Sequence, residues 1–180
     1  MEGAIDFMRQ RRKKGLILLV ALVVGVMILP TAGFAAQKER PPLPVSGKEA
    51  KDPKAGSTVS FSGIGVFSTQ YLKTWSSFIN QPVAGEAKLN IGGSTSTYSA
   101  VDTVGLSLIL QVYDESAGLW SNVRTLGTWE KIGGSGVSSG TLAVTVPGGF
   151  YYRVKGVHYA VENGSREEQT SYTNYLYIES

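Results

Sequence analysis

Val104 to Val112 reads VGLSLILQV, and its pattern decides the fold class. Val104, Leu106, Leu108, Leu110 and Val112 recur at every second position, the spacing that puts side chains on one face of a β-strand. A helix would need its apolar positions three and four apart, and no stretch beyond Thr58 keeps that period for ten residues. Asp114-Glu115-Ser116-Ala117-Gly118 follows with turn residues, and Trp120 to Trp129 then reads as the return strand of a hairpin. Alternation resumes in Thr141 to Val146, after a Gly/Ser loop expected over Gly133 to Gly140. Pro147-Gly148-Gly149 forces a turn into a long strand, Phe150 to Val161. Asn163-Gly164 is a hairpin turn signal, and Tyr172 to Ile178 reads as the closing strand. Upstream, Val59 to Val66, Tyr71 to Ile79 and Glu86 to Ile91 carry weaker strand patterns. Seven to eight short strands with Gly-rich turns predict an all-β, antiparallel β-sandwich over residues 58–180.

The chain before that domain divides in two. Arg9, Arg11, Arg12, Lys13 and Lys14 precede an apolar run from Leu16 to Leu29, then Pro30 and the small residues Thr31-Ala32-Gly33. This is the layout of a secretory signal peptide over residues 1–36, with Gly33 and Ala35 favouring cleavage after Ala35. The run is shorter than the ~20 residues a spanning helix wants. An uncleaved segment would be the domain's only link to a membrane, and either outcome delivers the domain outside the cytoplasm. Residues 37–57 are rich in Pro, Lys and Glu and lack aromatics, the composition of a disordered spacer. Pro41-Pro42-Leu43-Pro44 within it has the form of a polyproline ligand.

Composition removes much chemistry. With no Cys and one His, disulfides, thiol nucleophiles, thiolate zinc and multi-His metal sites are excluded, and no cofactor is called for. The net charge of +3 resides in residues 1–36, which hold five cations and two acids. The remaining 12 basic and 12 acidic side chains cancel, so the domain lacks the electropositive footprint that nucleic acid requires.

Val146 to Gly164, VPGGFYYRVKGVHYAVENG, resembles the penultimate strand of fibronectin type III and other immunoglobulin-like domains. The resemblance makes Tyr152 a tyrosine-corner residue, its hydroxyl bonding back to the backbone, with Val154 its inward neighbour. The sequence departs from that pattern at Gly156, where a larger apolar residue is usual. The whole layout, with QVYDESAGLWSNV (Gln111 to Val123) and the Tyr-rich last strand, also resembles small uncharacterised secreted β-sandwich proteins of Gram-positive bacteria. That likeness implies export and fold and brings no catalytic residues.

Several motifs compete for function. Gly136-Val137-Ser138-Ser139-Gly140 matches a nucleophile elbow, but a strand follows it instead of a helix and no acid lies between Ser138 and His158. His158 faces inward on the parity of Tyr152 and Val154, unless a bulge at Gly156 turns it out. Asp114, Glu115, Glu162 and His158 are the groups that a carboxylate-assisted hydrolase would use, and Glu162 with Asn163, Glu167 and Glu168 lacks a recognisable calcium spacing. Gly63-Ile64-Gly65 lacks the third glycine of a dinucleotide loop.

The aromatics point elsewhere. With Tyr152 and Val154 inward, Tyr151, Arg153, Lys155 and Tyr159 line the outer face of their strand, beside Tyr175 and Tyr177 of the last. Together with Trp120 at the hairpin end, these tyrosines and cations suit stacking on sugar rings or donating hydrogen bonds to a polymer. Trp75 is a further candidate, and Trp129 serves equally as core. The expectation is a secreted or surface-exposed, non-catalytic interaction module for a cell-wall or extracellular polysaccharide or protein. The alternatives are a structural envelope protein that self-associates through sheet edges, and the hydrolase.

Overall fold

The alternating run forms the C-terminal half of one very long strand in the computed structural model, which describes residues 40–51, the backbone of 57–62, and 69–180. The strands are β1 (Ser57–Ser62), β2 (Leu72–Asn80), β3 (Lys88–Asp114), β4 (Leu119–Thr145), β5 (Phe150–Glu162), β6 (Ser165–Tyr172) and β7 (Leu176–Ile178). All pair antiparallel in the order β1-β2-β3-β5-β6, with β4 on β3 and β7 on β5. The described residues contain no helix. Accordingly, none is long and apolar enough to cross a membrane, and the leader over residues 1–36 lies outside the described residues.

A folded-over hairpin organises the sheet. β3 and β4 pair from Lys88↔Thr145 to Asp114↔Leu119, but the register jumps between Ser96 and Val101, whose partners are Gly136 and Gly134. The extra residues on β3 make a corner there, as bulges do. Before the corner β3 pairs with β2 through Asn90 to Thr97; after it β3 pairs with β5 through Thr103 to Val112. The two halves therefore lie in different parts of a sheet curled on itself, and their inner faces meet. Leu89 and Ile91 from one half pack with Leu106, Leu108 and Leu110 from the other, together with Ile79, Val144, Val154, Leu176 and Ile178. Each fully buried Leu contributes about 1.5–3 kcal/mol.

Two expectations need correction, and one strand is unforeseen. Gly133 to Gly140 is strand, because the small residues pair with β3 around the corner instead of looping out. Ser165–Tyr172 is a strand that its polar sequence, SREEQTSY, concealed; it is a sheet-edge strand that buries only Ser171. Tyr172 to Ile178 is not continuous, because Thr173 breaks it: its N–H donates to Val154 O and its hydroxyl accepts from Val154 N, at 3.0 and 2.9 Å. The turn between β5 and β6 is as expected, with Asn163 and Gly164 at φ of 49° and 74°, the type I′ combination. Gly63-Ile64-Gly65, and the stretch of Val59 to Val66 beyond Ser62, lie outside the described residues.

Candidate functional site

β5 alternates as its sequence requires: Tyr152, Val154, Gly156, His158 and Ala160 are all buried inward. No bulge interrupts β5 at Gly156, where the registers with β3 and β6 run through unbroken. The Tyr152 hydroxyl donates to Pro147 O at 2.9 Å, the backward bond expected of it. His158 is wholly buried, its Nδ1 at 2.8 Å from Thr95 Oγ1 and its Nε2 at 2.8 Å from Ser171 Oγ. Ser171 continues to Ser77 at 2.8 Å, so a polar chain crosses between the facing halves of the sheet. Burial lowers the imidazole pKa to about 4, which keeps the ring neutral. Gly156 is explained by this ring: a Cβ there would sit 2.6 Å from both His158 Nε2 and Ser171 Oγ.

The acids act as strand ties. Asp114 Oδ1 accepts from Ser116 Oγ, Ser116 N and Ala117 N, which fixes the β3–β4 turn and holds the carboxyl below its usual range. Glu162 accepts from Asp102 N at 2.9 Å, and Glu167 from Tyr71 N and Leu72 N at 2.6 and 3.1 Å. Glu115 stands exposed in the turn. Ser138 lies within β4 and donates to Gly93 O at 3.2 Å. Among the described residues no three His, Asp or Glu gather where they could hold a metal ion.

The outer face of β5 carries the aromatic site. Direct cross-strand partners supply its pairs, Tyr113↔Trp120 across β3–β4 and Tyr151↔Tyr177 across β5–β7. Ring centroids are 5.4 Å apart for Tyr113–Trp120, 5.8 Å for Trp120–Tyr175, 5.6 Å edge-on for Tyr151–Tyr175, and 5.1 Å for Tyr151–Tyr177. Arg153 spans from Trp120 to Tyr172, its guanidinium 4.4 and 4.5 Å from the ring centroids, while its Nε donates to Gln111 Oε1 at 2.7 Å. Burial lowers the pKa of Arg153 and raises those of Tyr151 and Tyr175, which favours the neutral phenols at neutral pH.

Of the residues expected on this face, Tyr151, Arg153, Tyr175, Tyr177 and Trp120 come together. Tyr159 does not: it is buried over Gly105, bonded to Glu130 and covered by Arg166 at 3.7 Å. Lys155 lies between the two groups, in register with Ile109 and Tyr172. Trp75 belongs to a separate buried cluster with Leu72, Val101, Val104 and Ala160, and Trp129 packs on the main core. Tyr113 and Tyr172 join the site unforeseen; counting back across the Asp114–Gly118 turn would have paired Tyr113 with Trp120.

The tyrosines are also less exposed than expected, Tyr151 at 1% and Tyr175 at 5%. Residues 40–50, from the stretch read as spacer, lie against them. Tyr151 OH donates to Pro41 O at 2.8 Å, Trp120 Nε1 donates to Ser46 O at 3.1 Å, and Val45 N donates to Tyr113 OH at 3.4 Å. Arg40 lies over Tyr151 and Tyr177, 5.3 and 4.9 Å from their centroids, and pairs with Glu49. Beyond Gly47 the segment joins the sheet: Tyr175 N donates to Lys48 O at 2.8 Å and Ala50 N to Tyr175 O at 2.9 Å.

Elsewhere a hollow of about 410 Å³ opens beside Leu110, Val123, Phe150 and Tyr152, with Thr145 and Arg124 on its wall. It lacks the converging hydrogen-bonding groups of the aromatic site. No protein-family model and no curated protein matches the chain.

Proposed function

We propose that the chain is a non-catalytic interaction module, exported by its leader, whose immunoglobulin-like β-sandwich binds an extended extracellular polymer at the aromatic site. One observation carries this reading: five aromatic rings already hold a length of chain through their faces and their O–H and N–H groups. Such surfaces make their contacts without reacting atoms, and the nearby acids and the single imidazole are engaged in structural bonds. The Tyr152 hydroxyl bond, the pairing of β5 with β7 and the facing halves of the folded hairpin support the immunoglobulin-like assignment. The leader sequence and the absence of Cys chemistry support export of a self-sufficient domain.

The test is retention of the purified chain on cell-wall fractions, a polysaccharide panel and extracellular proteins. Saturable retention on at least one, lost in Trp120→Ala with Tyr177→Ala while circular dichroism is unchanged, is the expected result. Retention on none of them removes the reading.

A further inference from the structure

The segment in the aromatic site has a chemistry of its own. Pro41 is half-buried and Pro44 buried, while Pro42, Leu43 and Val45 are exposed. Inward residues three apart follow the repeat of a polyproline II helix. The repeat ends there: residues 45–47 bend, and Gly47, with a φ of 95° that suits only glycine, lies where a Cβ would sit 3.3 Å from Tyr175 Cδ1. The groove addresses the backbone of this segment. Pro41, Pro42 and Pro44 have no N–H, so the segment offers carbonyl acceptors and few donors. The groove offers the complement: two donors, Tyr151 OH and Trp120 Nε1, and one acceptor, Tyr113 OH, for Val45 N. Arg40 supplies a cation over two ring faces. Leu43 and Val45, 58% and 81% exposed, contribute little burial.

We infer that this groove is a recognition site for extended proline-rich peptides carrying an arginine immediately before the prolines, and that Arg40 to Gly47 is its resident occupant. The inference rests on the interaction-module reading and names its ligand class. Aromatic grooves with ring-borne donors fit polyproline II chains because that helix leaves its carbonyls unpaired. The occupant is tethered closely, since Ala50 bonds to Tyr175 and β1 begins at Ser57. Its effective concentration is then on the order of millimolar, and a peptide from another chain competes against it. The groove is therefore a self-occupied site that opens to a second proline-rich chain when the tether is loosened or the resident segment weakened.

The test titrates a fluorescent peptide, RPPLPVSG, into three full chains by anisotropy. One is unaltered, one carries about thirty Gly/Ser residues inserted after Gly47, ahead of the Lys48 and Ala50 bonds to Tyr175, and one carries R40A/P44D. The insertion leaves segment and groove intact and lowers the effective concentration by roughly tenfold through its dependence on tether length. Expected is saturable binding, about tenfold tighter in the long-tether chain than in the unaltered one, and tighter again in R40A/P44D. The peptide RAPLAVSG should bind at least tenfold more weakly, and Tyr151→Phe in the long-tether chain should weaken RPPLPVSG several-fold. Equal binding of the two peptides, or no saturable binding to a long-tether chain with wild-type circular dichroism, overturns the inference; should R40A/P44D unfold, the long-tether chain still decides. Polymer retention that persists without peptide binding leaves the interaction module standing and removes only its peptide ligand; loss of both removes both.

Discussion

Acidification should weaken this fold through one group. His158 is the only histidine in the chain, and its ordinary pKa of 6.5 falls to about 4 in the folded state, mainly through desolvation. The ring meets the hydroxyls of Thr95 and Ser171, and the Ser94 backbone bond raises its pKa only in part against the larger cost of burial; no carboxylate is bonded to it to offset a positive ring. The unfolded chain therefore binds the proton more tightly than the folded one, so protonation favours unfolding. Above pH 6.5 both states are neutral and no penalty exists; it grows as pH falls and levels off near pH 4, where the folded ring also protonates. At about 1.4 kcal/mol per pH unit, the loss is about 2 kcal/mol at pH 5 and about 3 kcal/mol when complete. Asp114 titrates lower, since its hydrogen bonds hold it below 3.8, so its contribution is lost in a separate, more acid range. Urea unfolding of the wild type and of His158→Gln at half-unit steps from pH 7.5 to 4 reads the slope directly. The wild type should lose stability with falling pH across that range and the variant should be nearly flat. Parallel slopes, or a wild type equally stable at pH 7 and 4.5, would refute the account.

Further substitutions probe the neighbouring contacts. Gly156→Ala forces a methyl into the imidazole and Ser171, and should cost about 1–3 kcal/mol in chemical denaturation. Tyr152→Phe removes only the bond to Pro147 O and should cost about 1 kcal/mol, with the near-ultraviolet dichroism retained. Glu167→Gln replaces a charged acceptor of two backbone N–H groups, so amide exchange at Tyr71 and Leu72 should accelerate while the β5 amides keep their protection. Leu108→Ala in the facing halves of the hairpin should cost about 2–5 kcal/mol.

Where burial alternates with sequence, the fold was legible: Val104 to Leu110, Thr141 to Thr145 and Phe150 to Val161 all form strands. It was illegible where a strand's pairing owes nothing to apolar side chains. Gly133 to Gly140 reads as loop, and Ser165 to Ser171 shows no strand pattern, because composition reports side chains, while these residues are held by backbone bonds, the first to β3 about forty residues away and the second to β5 across the Asn163-Gly164 turn. The corner between Ser96 and Val101 is equally silent, since nothing in STSTYSAV announces that two halves of one strand will face each other.

The aromatic site shows the same division. Parity assigned Tyr151 and Arg153 to one face and Tyr175 and Tyr177 to the adjacent strand, and they do meet. Parity says nothing about what covers a face. The composition of residues 37–57 shows a segment unable to form a core of its own, which is a statement about the segment in isolation. Its prolines carry a second consequence. They restrict φ before any contact forms, so less entropy is lost when the segment lies down than for an ordinary chain. The contacts of Arg40 to Gly47 with the groove are correspondingly slight: three hydrogen bonds worth about 1 kcal/mol each and an arginine over two rings worth about 0.5–1 kcal/mol. A segment preshaped enough to dock and held by so few bonds is suited to exchange, and the same slightness that hides it from composition is what lets another proline-rich chain take its place.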